Sequence, residues 1–218
     1  MQLSSIGIPA SRPGRSVTVL LAVLAVLSAA CWLVFRYVDP HFADENHFME
    51  NLQALALLAA CLVHGWRASK LDKKSVGFML HAGLSLLMYS FLLRELEIRE
   101  FDAPGQHVWA WTEHTVRAIG WSLWVVYLVV FATRIRQIWA QRRALLATPV
   151  IITALCAAVL MASGWPFDKQ KFTSVPEPIS AFMEEVLEMN AYLILFVGSA
   201  SASLRETRSD DDKKSRIV

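Results

Sequence analysis

The sequence predicts an all-α, polytopic membrane protein with six transmembrane helices and both termini on the cytoplasmic side. Three observations predict it. Hydrophobic residues make up 55% of the 218-residue chain and mean hydropathy is +0.40, too apolar for a soluble domain of that length. The charged residues collect between long uncharged blocks instead of being spread evenly, as lipid immersion of the blocks requires. Finally, basic residues gather in alternate connections, the pattern that sets orientation in a membrane.

The first block, Val17–Tyr37, is longer than a signal-peptide core, and no small-residue cleavage site precedes "RYVDP", so it reads as a membrane helix. Five more follow at Asn46–Trp66, Val76–Leu93, Val116–Thr133, Leu145–Gly164 and Ile179–Leu204. Each is near the ~20 residues that a helix needs to cross ~30 Å of hydrocarbon. Residues 1–15 are expected to be a mobile cytoplasmic N-terminus, 16–204 the transmembrane domain, and 205–218 a disordered cytoplasmic tail. Cys31, Cys61 and Cys156 all fall inside apolar blocks and read as packing residues.

The connections decide which way the bundle points. Arg12 and Arg15, the "RASKLDKK" loop, the "RIRQIWAQRR" loop and the tail from Arg205 carry 15 of the 21 Lys and Arg but 5 of the 19 Asp and Glu. The positive-inside rule therefore places these segments in the cytoplasm and both termini with them. Trp109, Trp111, Trp121, Trp124 and Trp165 gather toward the opposite side, as an interfacial aromatic belt would.

Measured strictly, several uncharged runs are short. Leu52–Trp66 has 15 residues, about 22 Å of helix, and Ala118–Thr133 and Met189–Leu204 have 16 each, about 24 Å. Arg67, Lys74, Arg134 and Arg205 anchor the cytoplasmic ends, so each deficit falls at the outer end. Crossing then draws in Glu50 and Asn46 on the second span, Arg117, Glu113 and His114 on the fourth, and Glu184, Glu185 and Glu188 on the sixth. Arg94 and Glu95 close the third span at the same level. A charge facing lipid costs on the order of 2.5–3.5 kcal/mol at the bilayer centre. The polar faces should therefore turn toward one another: Asn46, Glu50 and Gln53 at i, i+4, i+7; Glu113, Arg117 and Trp121 at i+4 steps; Glu185, Glu188 and Tyr192 at i, i+3, i+7.

The expectation is a carboxylate-rich chamber in the outer-leaflet half, enclosed by spans two, three, four and six, with spans one and five as lipid-facing supports. Asn46, Glu50, Arg94, Glu95, Glu113, His114, Arg117, Glu184, Glu185 and Glu188 are its candidate ligand- or cation-binding residues. Arg94 and Arg117 serve as counter-ions or phosphate contacts, and Glu97, Arg99, Glu100 and Asp102 belong to the outer loop. A divalent metal would draw on His47, Glu50, His114, Glu185 and Glu188, which are acceptable oxygen and imidazole donors. Their spacing is not diagnostic: HExxH is absent, and the last span offers Glu185-x-x-Glu188 where a di-iron bundle uses Glu-x-x-His.

A haem reading would use His64 and His81. Counted from Arg67 and Lys74 these sit at unequal depth, with no second pair, and haem is not expected. Ser85 and Tyr89 read as a polar stripe joining the third helix to its neighbours. Membrane hydrolases of the alkaline-ceramidase and adiponectin-receptor type carry a late histidine pair that has no counterpart here, where the last histidine is His114. Nucleophile elbows and phosphate-cradling glycine loops are missing, and nothing points to nucleic acid.

The motifs "ENHFMENLQ", "RELE" and "EEVLEMNAY" give the chain a resemblance to small multi-pass inner-membrane proteins of bacteria with no assigned activity. That resemblance implies fold and location, not function. Three functional readings follow from the chamber: binding of a cation or polar lipid headgroup; metal- or glutamate-dependent catalysis on a lipid or lipid-linked substrate at the periplasmic face; and a structural or assembly role with satisfied ion pairs. Membrane lipids and a membrane-protein partner are the partners these readings imply; no catalytic residue is assigned.

Overall fold

A computed structural model describes residues 13–39, 42, 48–96, 98, 102 and 107–215, with side chains described only between residues 18 and 200. Residues 1–12 and 216–218, and with them Asn46, His47, Glu97, Arg99 and Glu100, lie outside the described residues. Among the described residues all regular structure is helical. The chain divides into two compact units, residues 1–42 and 43–218, each taken by itself below.

The first unit holds α1, Pro13–Tyr37. Proline opens it where its missing N–H is no loss. Val19, Leu21, Val23, Val26 and Leu33 are exposed, the surface of a helix suited to lipid. Ser28 spends its hydroxyl on the Leu24 carbonyl at 2.8 Å and so presents no unpaired donor.

The second unit contains α2 (Phe48–Lys70), α3 (Val76–Glu95), α4 (Val108–Ala140), a short α5 (Arg142–Leu146), α6 (Pro149–Asp168) and α7 (Glu177–Ser215). They pack in the order α4–α3–α2–α7–α6. Five helices are long and apolar enough to cross a membrane: α1 from Thr18, α2, α3, α4 and α6. The sixth expected span, Ile179–Leu204, lies within α7, which carries Glu184, Glu185 and Glu188 in its early turns. The backbone of α7 is helical as far as Ser215, beyond Leu204 where the apolar block stops.

α2 and α3 form an antiparallel hairpin. Ser75 caps α3, its hydroxyl accepting from the Phe78 N–H at 3.0 Å. Along the hairpin, Ser85 Oγ donates to the Cys61 carbonyl at 3.0 Å, and His64 Nδ1 meets His81 Nδ1 at 2.9 Å with both rings buried. The unequal depth expected for this pair is therefore corrected. α2 runs on past Arg67 to Lys70, so His64 and His81 lie nearly the same number of residues from the turn. One imidazole donates through Nδ1 and the other accepts, which fixes opposite tautomers.

α6 packs closely on α7, its one partner among the long helices, and leaves Ile152, Leu155, Val159 and Trp165 exposed, the apolar surface expected of a mainly lipid-facing support. Val150, Ala157 and Gly164, seven residues apart, are its buried stripe, and small residues there allow close backbone approach. A Cβ on Gly198 of α7 would run into the Thr153 side chain. The hairpin turn ends α6 with a Schellman motif. Gln170 takes the left-handed conformation (φ 46°), while Lys171 N–H reaches the Pro166 carbonyl and Gln170 N–H the Phe167 carbonyl, each at 2.9 Å.

α4 is the outlier. It extends 33 residues, about 50 Å, and only Glu113 and Gly120 are buried. Gly120 admits the Tyr89 ring and Gly83 of α3 admits Tyr127, so an aromatic side chain from each helix docks on a glycine of the other. Tyr89 Oη donates to the Val116 carbonyl at 3.0 Å, Tyr127 Oη to the Met79 carbonyl at 3.2 Å, and Trp124 Nε1 to Ser90 Oγ at 2.8 Å. Ser85 thus ties α3 to α2 while Tyr89 ties it to α4, the polar stripe expected of these two residues. α4 leans on α3 alone among the long helices, not on a chamber shared by four.

Candidate functional site

The polar residues gather where α3 ends and α2, α4 and α7 begin. The last turn of α3 supplies Arg94 and Glu95, one residue apart and so about 100° apart around the helix. Glu95 turns inward and is buried; Arg94 turns outward with half its side chain exposed. α7 presents Glu185, Glu188 and Tyr192 on one face, as their spacing requires.

These side chains form two bonded groups, one of Arg94, Glu95, Glu188 and Tyr192 and one in which Gln53 of α2 meets Glu185. Arg94 Nη2 lies 2.8 Å from Glu95 Oε1 and pairs also with Glu188 Oε2. Tyr192, fully buried, donates to Glu95 Oε1 at 2.9 Å and stacks obliquely near Phe91 with ring centroids 5.8 Å apart. From α2, the buried Gln53 Nε2 donates to Glu185 Oε2 at 2.7 Å and to the Glu185 carbonyl at 3.2 Å. Buried carboxylates are costly unless paired and hydrogen-bonded, and here one guanidinium answers Glu95 and Glu188 together.

A second ion pair stands on α4. Arg117 Nη2 lies 2.9 Å from Glu113 Oε1, an i,i+4 pair in which Glu113 is buried and Arg117 half exposed. Arg94 and Arg117 then share a cavity of about 230 Å³ between α3 and α4, lined also by Tyr89, Leu93, Trp121 and Trp124. Both arginines line this cavity, whereas no carboxylate is among the described residues that line it.

Beneath it lies a larger, apolar cavity of about 410 Å³ lined by Leu80, Leu84, Leu87, Tyr127, Leu128 and Phe131, among others. Trp124 lines both cavities.

The structure therefore brings together Arg94, Glu95, Glu185 and Glu188, and separately Glu113 with Arg117. Glu50 and Glu184 are half-buried on α2 and α7, and His114 is exposed on α4. Asn46 and His47 lie outside the described residues. Among the described residues no group of three or more His, Cys, Asp or Glu is placed to hold an ion, and His47 of the expected metal set lies outside those residues.

Two features escaped sequence reasoning. One is the exposed side of the Arg94–Arg117 pair, a cavity on the outer flank of α3; the single-residue offset between Arg94 and Glu95 was its signal. The other is Trp124, read as part of an interfacial belt, which separates a basic cavity from an apolar one.

Five helices long and apolar enough to cross a membrane make the chain compatible with multi-pass insertion. No family model, curated protein or solved structure matches it.

Proposed function

We propose that this chain is a six-span bacterial inner-membrane protein, with both termini cytoplasmic, that binds an anionic, phosphate-bearing headgroup at the periplasmic end of α3 and α4. The charge asymmetry of the connections supports the orientation, and the apolar stretch of α7 would supply the sixth span.

One observation carries the binding reading: Arg94 and Arg117 line the same cavity, and no carboxylate is among the described residues lining it. A guanidinium presents five N–H donors in a planar fork, and that fork matches phosphate oxygens. Trp121 and Trp124 supply the amphipathic walls favoured at the level of lipid headgroups. A cation is the poorer fit, because the ion it would meet first is a guanidinium. Catalysis on a headgroup would need a carboxylate facing it, and the described lining offers none.

The test uses the full chain, purified in detergent and delipidated, with retention of phosphatidylglycerol and of phosphatidylcholine bearing the same acyl chains compared by native mass spectrometry. The wild type should retain the anionic lipid about tenfold better, a difference near 1.4 kcal/mol. Glu113→Gln/Arg117→Gln, which removes both charges of the pair and leaves Arg94 in the cavity, should markedly reduce that preference. Equal retention of the two lipids by the wild type refutes the reading.

A further inference from the structure

We infer that the apolar cavity between α3 and α4 holds one acyl chain of an anionic phospholipid of the cytoplasmic leaflet, its phosphate seated among Lys73, Lys74 and Arg134. This site is separate from the arginine-lined one and takes from the reading above only the orientation of the chain. On α3 the apolar lining runs from Val76, the first residue of the helix, to Leu87. That stretch rises about 16 Å, half of the ~30 Å of hydrocarbon, so the cavity occupies one leaflet and an ordinary acyl chain matches its depth. At its inner end Trp124 stands between it and the cavity of Arg94 and Arg117. At its outer rim, toward the cytoplasm, it meets the α2–α3 turn.

Charge at that rim identifies the headgroup. Arg134 follows the lining residue Phe131 by three positions and precedes Ile138 by four, and its Nη1 donates to the Lys73 carbonyl. This bond ties the end of α4 to the α2–α3 turn. Lys70, Lys73 and Lys74 in the turn join Arg134, Arg136 and Arg142 against one acid, Asp72, whose Oδ1 accepts from the Lys74 N–H at 3.0 Å. Each apolar residue at this end stands within a turn of a base: Val76 of Lys74, Ile138 of Arg134, Leu145 of Arg142. Exposed Trp139, its ring centroid 4.8 Å from the Arg142 guanidinium carbon, is the anchor expected at headgroup level. An apolar slot with a cationic mouth fits an amphiphile with a negative head, and basic residues beside the cytoplasmic surface attract anionic lipid. Leu128, half exposed, lines the slot as well, so the chain enters sideways from the bilayer. Lipid tails are as apolar as the slot, so the preference between lipids comes from the head.

The test reconstitutes the full chain in phosphatidylcholine vesicles and photolabels it with phosphatidylglycerol carrying a diazirine either beside the ester or at the end of one acyl chain. Labelled residues are mapped by mass spectrometry. The ester-proximal probe should label Val76 or Ile138, and the chain-end probe Leu84, Leu87 or Trp124. Phosphatidylcholine carrying the same diazirines should label these residues about tenfold less. Lys73→Gln/Lys74→Gln/Arg134→Gln should bring phosphatidylglycerol down to that level. Lys73→Gln/Lys74→Gln, which keeps the Lys73 carbonyl for Arg134, should lower it about threefold and decides if the triple variant does not fold. Glu113→Gln/Arg117→Gln should leave the labelling unchanged. The reverse order of labels, with the chain end at Val76, means that the lipid hangs from Arg94 and Arg117; it overturns this inference and leaves the headgroup reading standing. Equal labelling by the two lipids, or wild-type labelling in the folded charge variants, overturns it as well. The expected labelling without anionic preference in the native mass spectrometry of Glu113, Arg117 and the wild type refutes the headgroup reading alone.

Discussion

Tyr192 of α7 donates its phenolic hydrogen to Glu95 of α3 at 2.9 Å, joining two helices that both pack on α2. The pair also sets the orientation of Arg94, since the same Glu95 oxygen accepts from the Arg94 guanidinium. Tyr192→Phe keeps the ring and its contact with Phe91 but strips a buried carboxylate of a donor. The expected cost is about 1–3 kcal/mol of stability. Glu95→Gln/Tyr192→Phe should cost less than the two single changes added, because the coupling is lost once. Unfolding in detergent, followed by circular dichroism over the four proteins, measures both; strict additivity would show that the two groups act independently.

The His64–His81 contact gives a sharper asymmetry. Each imidazole satisfies the other in a buried setting, so His64→Leu leaves an orphaned ring nitrogen on α3 and should destabilise by about 1–3 kcal/mol. Replacing both histidines by leucine removes donor and acceptor together and should cost less than the His64→Leu change alone. The same unfolding measurement decides, and a double variant worse than either single would contradict a mutual hydrogen bond.

Much of this architecture is legible in the sequence, because helices that must satisfy their own backbone in lipid announce themselves as long uncharged runs. The i, i+3, i+7 spacing of Glu185, Glu188 and Tyr192 likewise dictates a shared face, and the bonds of Glu188 to Arg94 and of Tyr192 to Glu95 follow from that face meeting the end of α3. What spacing along one helix cannot supply is the order of neighbours. α4 looked like a wall of a four-helix chamber because Glu113 and Arg117 recur at i+4, yet these two residues pair with each other on one helix, and α4 packs on α3 alone among the long helices. α6, which bears no charge between Pro149 and Phe167, stands at the end of the row, and spacing did not show that Val150, Ala157 and Gly164 let it pack closely on α7. Depth was misjudged for His64 and His81 for a related reason: basic residues mark an interface, and α2 continues a turn beyond Arg67.

Gln170 terminates α6 in a left-handed conformation that side chains with a Cβ adopt at a cost. Gln170→Gly should relieve that cost, partly offset by greater freedom in the unfolded chain, for a net gain of about 0.5–1 kcal/mol. The readout is an upward shift in the unfolding midpoint with unchanged helix content. A loss of stability would mean that the Gln170 side chain contributes more than its backbone costs.

The entry to α4 is held by a residue outside the helix. His107, at the cap position, makes no side-chain cap hydrogen bond; instead Asp102 accepts from the Trp109 N–H through Oδ1 and from the Ala110 N–H through Oδ2, each at 2.9 Å. Such a bidentate carboxylate satisfies two of the orphan donors of a helix N-terminus and complements its dipole. What little desolvation Asp102 suffers would raise its pKa, but the hydrogen bonds from Trp109 and Ala110 outweigh it and hold the carboxyl below its usual range. The sign of the pH dependence follows: a carboxyl depressed in the folded state contributes stability above its unfolded pKa, and that contribution fades as pH falls through the folded value. Amide exchange at Trp109 and Ala110 should therefore be slow at neutral pH and lose protection, relative to amides in mid-α4, only in acid well below the ordinary carboxylate range. Asp102→Ala should lose that protection at neutral pH and show no acid transition of its own. Because Arg117 and Glu113 sit two to three turns from this cap, the same variant should leave the phosphatidylglycerol preference intact. A variant that lost both would show that the cap also sets the register of the ion pair on which the binding cavity depends.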